Sequence, residues 1–143
     1  MNNHWGTNYR AYQEGPVVFR FVLRPHGTAT AAEATRFAAD CCQPLVALPG
    51  RGPAPDGRPL LSVEPADVLV TALKPSDDGK ALIVRLFNAG TKLAQTELAW
   101  GRKAPRRLWL SDTGEQAGKK LSARDAVAVP ASGVVALRAE FAD

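Results

Sequence analysis

The chain has 143 residues, 45% of them hydrophobic and 22% charged, with a net charge of +4. That is the size and balance of one ordinary globular domain, able to bury about two thirds of the surface its unfolded form exposes, and it excludes a disordered chain. No apolar run approaches the ~20 residues of a membrane-spanning helix, and the N-terminus has neither a basic nor an apolar export region, so a soluble, cytoplasmic protein with no membrane partner is expected.

The opening stretch crowds amides and aromatics together: Asn2, Asn3, Trp5, Thr7, Asn8, Tyr9, Tyr12 and Gln13. Flat apolar faces beside neutral hydrogen-bonding groups suit a sugar or a neighbouring domain. A start at Met1 with almost no lead-in suggests a piece of something longer. Pro16 to Leu23 then alternates as a strand, with Val17, Phe19 and Phe21 on one row and Val18, Arg20 and Val22 on the other. After Arg24-Pro25-His26-Gly27, Ala31 to Cys41 reads as a short covering helix, with Thr30 as N-cap and Glu33 completing a capping box. Cys41 and Cys42 are adjacent, which strains a bridge between them, and no framework of spaced pairs points to an oxidising compartment; each reads as a small buried hydrophobe.

Pro44 to Leu48 reads as a strand, and Pro49 to Pro59 as a loop dense in Pro and Gly. The second half is more regular. Strands are predicted at Leu60 to Val63, Val68 to Leu73, Ala81 to Phe87, Leu93 to Trp100, Arg107 to Leu110, Ala126 to Val129 and Val134 to Phe141, with turns at Pro75 to Gly79 and Asn88 to Gly90. In the last strand Val135, Leu137, Ala139 and Phe141 share a row opposite Arg138 and Glu140. About nine short strands with a turn signal every ten residues or so indicate an all-β fold, an antiparallel β-sandwich with one short helix over residues 1–143. Ala81 to Phe87 departs from simple alternation because both rows are apolar around Arg85, whose charge must find a carboxylate or carbonyls, snorkel to an edge, or brace against another domain.

Positive charge clusters only at Arg102, Lys103, Arg106 and Arg107, in the connector GRKAPRR. This is a solvated loop without interleaved aromatics, although Trp100 and Trp109 flank it, and no nucleic-acid partner is expected. A metal site needs three or four converging ligands and a triad needs a nucleophile with an oriented base. The two histidines, His4 and His26, stand in no ligand spacing, Asp77 and Asp78 are turn neighbours, and GRGPAPDG loses backbone donors at Pro53 and Pro55. The chain builds no active site of its own.

The blocks NNHWGTNYRAYQEGPVVFRFVLRPHG and ADVLVTALKPSDDGKALIVRLFNAG resemble the C-terminal region of glycoside hydrolase family 38, zinc-dependent retaining α-mannosidases. The carrying residues are Asn3, Trp5, Thr7 and Asn8 with Gln13 and Gly15, then Phe19-Arg20-Phe21 leading to Pro25-His26-Gly27, then Thr71 to Pro75, Gly79, and Val84 to Asn88. Gln43-Pro44-Leu45 and the terminal VVALRAEF also fit. The resemblance implies a β-rich module downstream of a catalytic domain that holds the zinc, the nucleophile and the acid, so no catalytic or metal-binding residue is carried over to this chain.

The resemblance also implies a partner, the catalytic domain of the parent glycosidase, on which such sandwiches pack and whose mannoside cleft they help to rim. Residues 1–15 are then the crossing from the preceding domain. Candidate contact positions are Asn3, Trp5, Thr7, Asn8, Lys74, Arg85 and Asn88. Their alternative is a structural role, as packing and capping groups. A second reading is an independent carbohydrate-binding module that stacks sugars on Trp5, Tyr9, Tyr12, Trp100 or Trp109.

Overall fold

The computed structural model describes residues 15–43, 46–47, 49–50, 52, 57–101 and 103–142. Helix α1 (Ala31–Cys42) is followed by eight strands: β1 (Leu61–Glu64), β2 (Val68–Pro75), β3 (Leu82–Asn88), β4 (Ala94–Trp100), β5 (Arg107–Ser111), β6 (Ala117–Leu121), β7 (Val127–Val129) and β8 (Val134–Glu140). The strands form two antiparallel sheets, one of order β1-β4-β7 and one of order β2-β3-β8-β5-β6. This is the expected all-β sandwich.

Side-chain alternation explains how the layers meet. From the five-stranded sheet Val68, Val84, Leu86, Leu108, Leu137 and Ala139 point inward, and Val127 and Val129 meet them from the other sheet. Leu61, Val63, Leu98 and Trp100 complete that second wall, with Trp100 set edge-on against Phe141 at 5.5 Å between ring centroids. Fully burying each Leu or Val contributes about 1.5–3 kcal/mol, so this double row is the main source of stability. Two polar atoms break the pattern: among the described residues the Thr96 hydroxyl and the Trp100 indole Nε1 are buried with no hydrogen-bond partner.

Several expectations need correction. Pro16 to Leu23 is not a strand; it has no ladder partner among the described residues, and Val18, Phe21 and Leu23 are 78%, 80% and 90% exposed. Alternation sorts side chains into rows but does not supply the neighbouring backbone a strand requires. Of the strand expected at Pro44 to Leu48, Val46 and Ala47 are in no strand, and the rest lies outside the described residues. Conversely, β6 is a strand that its sequence does not announce, because Ala-Gly-Lys-Lys has no apolar row; pairing with β5 makes it one.

The helix forms as expected at its start: Thr30 Oγ1 accepts from the Glu33 backbone N–H and the Glu33 carboxylate accepts from the Thr30 N–H. It covers little, however. Only Ala32 is buried, Arg36 donates to the Ala66 carbonyl beside β2, and both Cys41 and Cys42 are exposed rather than core residues.

Candidate functional site

The two sheets present different outer faces. Outside the three-stranded sheet stand Ser62, Glu64, Gln95, Glu97, Ala99 and Ala128, all exposed. Outside the five-stranded sheet the register lays down three tiers. Leu69, Phe87 and Val134 run side by side; Ala72, Arg85, Ala136 and Ser111 form the next tier; Lys74, Ile83, Arg138 and Trp109 form the third. This face is apolar at one end, small around a single guanidinium in the middle, and charged at the other end.

The charged end is locked by its own partners. Lys74 Nζ lies 2.5 Å from Glu115 Oε1 and 2.8 Å from Asp77 Oδ1. The other Glu115 carboxylate oxygen accepts from the Asp77 backbone N–H at 2.7 Å. Arg138 Nη2 meets Asp78 Oδ2 at 2.7 Å, its Nε lies 3.4 Å from Glu140, and its Nη1 donates to the Glu115 carbonyl. Asp78 also accepts from Ser76 Oγ and from the Lys80 N–H, while Arg107 reaches Glu140 at 3.6 Å.

The β5–β6 turn is thereby clamped to the β2–β3 turn across the sheet. Glu115 is held there at φ +65°, an uncommon conformation for a residue with a side chain. Ile83 stands between Lys74 and Arg138 in the register and is 1% exposed, as long side chains on both neighbouring strands allow. Electrostatics follow the contacts. The Ser76 hydroxyl and then Arg138 hold the Asp78 carboxyl far below its ordinary value, and Lys74 followed by the Asp77 N–H lowers Glu115. Asp77 and then Glu115 raise Lys74, and Asp78 raises Arg138.

Of the candidate positions, Asn3, Trp5, Thr7 and Asn8 lie outside the described residues. Lys74 belongs to the clamp. Asn88, expected in a turn, is the last residue of β3 and fully buried; its Nδ2 donates to the Lys92 and Val129 carbonyls and its Oδ1 accepts from the Gly90 N–H, so it stitches the two sheets and shapes the turn. Arg85 is half-buried on the outer face, and among the described residues no carboxylate lies within ion-pair distance of it. The structure thus gives these three different roles: Lys74 clamps two turns, Asn88 stitches the sheets and Arg85 marks the outer face.

Other expected features fall elsewhere. Trp100 points into the core and Trp109 to the outer face, so the aromatics flanking the basic connector share no stacking surface. Tyr9 and Tyr12 lie outside the described residues, as does Arg102. Sequence reasoning does not bring Asp78, Glu115 and Arg138 together. Only the polar row of β8 hints at Arg138, and nothing in the turn sequence signals that Glu115 will reach it.

Among the described residues no group of three or more His, Cys, Asp or Glu residues could hold a metal ion. Nor is any described helix long and apolar enough to cross a membrane.

No curated protein matches the chain, and no solved structure does. A family model does match, that of the glycosyl hydrolases family 38 C-terminal beta sandwich domain, over residues 67–139. The match runs from just before β2 through nearly all of β8, so it contains the clamp, Arg85 and Asn88, and it covers about half of the chain. The chain therefore belongs to the family of glycosyl hydrolase family 38 C-terminal β-sandwich domains.

Proposed function

We propose that this chain is a non-catalytic C-terminal module of an α-mannosidase-like glycoside hydrolase, with residues 1–143 acting as one unit and residues 1–15 as the crossing from the preceding domain. It packs on the catalytic region through the outer face of the five-stranded sheet and helps to shape the rim of the mannoside cleft. In this reading zinc and the reacting groups belong to the partner region.

The observation that carries the reading is Arg85. Its tier neighbours Ala72 and Ala136 leave the guanidinium uncrowded, and Phe87 lies next to it on the same row of β3. An antiparallel sheet that faces water alternates polar residues outward, as the other sheet does; an outer face of Leu, Phe, Val and Ala around one Arg fits a second surface that brings a carboxylate.

The test combines the purified chain with the catalytic region of a family 38 α-mannosidase prepared without its C-terminal sandwich. Sedimentation should show a complex, and Arg85→Glu with Phe87→Lys should abolish it while leaving the circular dichroism of the chain unchanged. A complex indifferent to both substitutions would overturn the assigned face. The chain alone should leave an aryl α-mannoside uncleaved, and cleavage above a mock purification would defeat the non-catalytic reading.

A further inference from the structure

The segment ahead of the helix offers a second, separate surface. Residues 16–26 are in no helix or strand and all are exposed. Between Pro16 and Arg24 the side chains sort into an entirely apolar row, Val17, Phe19, Phe21 and Leu23, and a mixed row, Val18, Arg20 and Val22. Phe19 and Phe21 are 55% and 80% exposed. Isolated exposed hydrophobes are ordinary, but a contiguous row of four with strand spacing marks a surface meant to be covered. The segment is tethered just beyond its end, where the Arg24 guanidinium lies 5.8 Å from the Phe37 ring centroid on α1.

The occupant is decided by the state of the chain's own sheet edges. A strand-forming segment needs an open edge, and among the described residues each of the four edge strands is protected in a way that discourages addition. On β2 the ladder is broken by an irregularity between Val70 and Ala72. On β6 the edge carries Lys119 and Lys120 and its own register shift. β1 has four residues between Pro59 and Pro65, and β7 has three and runs into Pro130. A second copy offers the same blunted edges, so self-addition is disfavoured. The acceptor lies in another domain or chain.

We infer that residues Pro16–Leu23 are a donor strand: they add by backbone hydrogen bonding to an open sheet edge outside this sandwich, burying Val17, Phe19, Phe21 and Leu23 in the acceptor's core. Eight residues of strand reach about 26 Å, a full-length edge. Arg20 is the only charge in the segment, so the acceptor places a carboxylate opposite it. The acceptor is the region of the parent hydrolase next to this module. The inference rests on the proposed packing in that it takes the same partner, but it uses a different surface.

The experiment measures hydrogen exchange of the full chain alone and with the catalytic region of a family 38 α-mannosidase lacking its C-terminal sandwich. A synthetic peptide of residues 15–26 serves as competitor. Exchange at residues 17–23 should slow at least tenfold in the complex, and the peptide should displace the chain. Peptides N-methylated at residues 17, 19 and 21, or at 18, 20 and 22, separate backbone pairing from greasy contact, because alternate N–H groups point to opposite sides of a strand. Loss of competition for either parity supports a strand.

Competition that survives both N-methylated sets overturns donor-strand pairing. Protection confined to β3 and β8 overturns it too, while leaving the outer-face reading standing. Absence of any complex overturns both.

Discussion

β3 and β4 lie in different sheets of the same sandwich and divide their residues differently. β4 sends Ala94, Thr96, Leu98 and Trp100 toward the core and leaves Gln95, Glu97 and Ala99 in water, as a strand with one wet side does. β3 buries Val84, Leu86 and Asn88 on one row, yet its other row, Ile83, Arg85 and Phe87, is not exposed either. Part of that second burial is internal, at Ile83 between the clamp residues Lys74 and Arg138. The remainder, around Arg85 and Phe87, is a half-buried face with apolar walls and a charge that meets no carboxylate among the described residues, and on it the proposed docking rests.

The largest effects should come from the shared row. Leu86→Ala removes a fully buried side chain from the centre of the core and should cost about 2–5 kcal/mol in urea unfolding, while Glu97→Ala on the wet side of β4 should stay within about 0.5 kcal/mol. Equal costs would mean that the two strands do not differ as described. Asn88→Ala removes the bond to the Val129 carbonyl and frees the turn at Gly90, with an expected loss of about 1–3 kcal/mol and faster amide exchange in β7. If β7 exchange is unchanged, Asn88 does not stitch the sheets.

A smaller effect, of opposite sign, comes from β4. Thr96 places a hydroxyl without a partner in the core, so Thr96→Val, which keeps the branched shape, should raise stability by about 1 kcal/mol. A loss of stability instead would show that the hydroxyl is satisfied.

How much of this is legible in the sequence depends on how local the cause is. The inward row of β8, the two-sided character of β3 and the capping box at Thr30 follow from spacings of two to four residues, and the structure keeps them. The strand β6 does not follow, since Gly118, Lys119 and Lys120 are made a strand by the β5 ladder. The row pattern of Val17 to Leu23 is legible, but its pairing is not, because a strand is a relation between two backbones. Arg138 and Asp78 meet across 60 positions, and Glu115 enters their cluster through a turn whose left-handed residue is not glycine. Such contacts are products of topology, beyond what spacing along one chain encodes.

The subtlest prediction concerns the charged end of the outer face and its response to acid. Folded Asp78 and Glu115 both titrate below their ordinary values of 3.8 and 4.5, Asp78 through Ser76 and Arg138, Glu115 through Lys74 and the Asp77 N–H. A carboxylate depressed in the folded state binds protons more readily when unfolded. Its stabilisation is therefore complete above the unfolded value and drains away as pH falls through the folded one. Lys74, raised by Asp77 and Glu115, stays charged throughout and loses its contribution only when pH climbs past its ordinary 10.5. Asp78→Asn should thus be less stable than the wild type at pH 7, with the gap narrowing steadily below pH 4 as the wild type loses what the variant never had. Urea midpoints at pH 7, 4, 3 and 2 measure it. A gap that stays constant across that range would mean that the clamp holds by shape and hydrogen bonding alone, and the outer face of β3 would then owe its order to packing, as the inner face does.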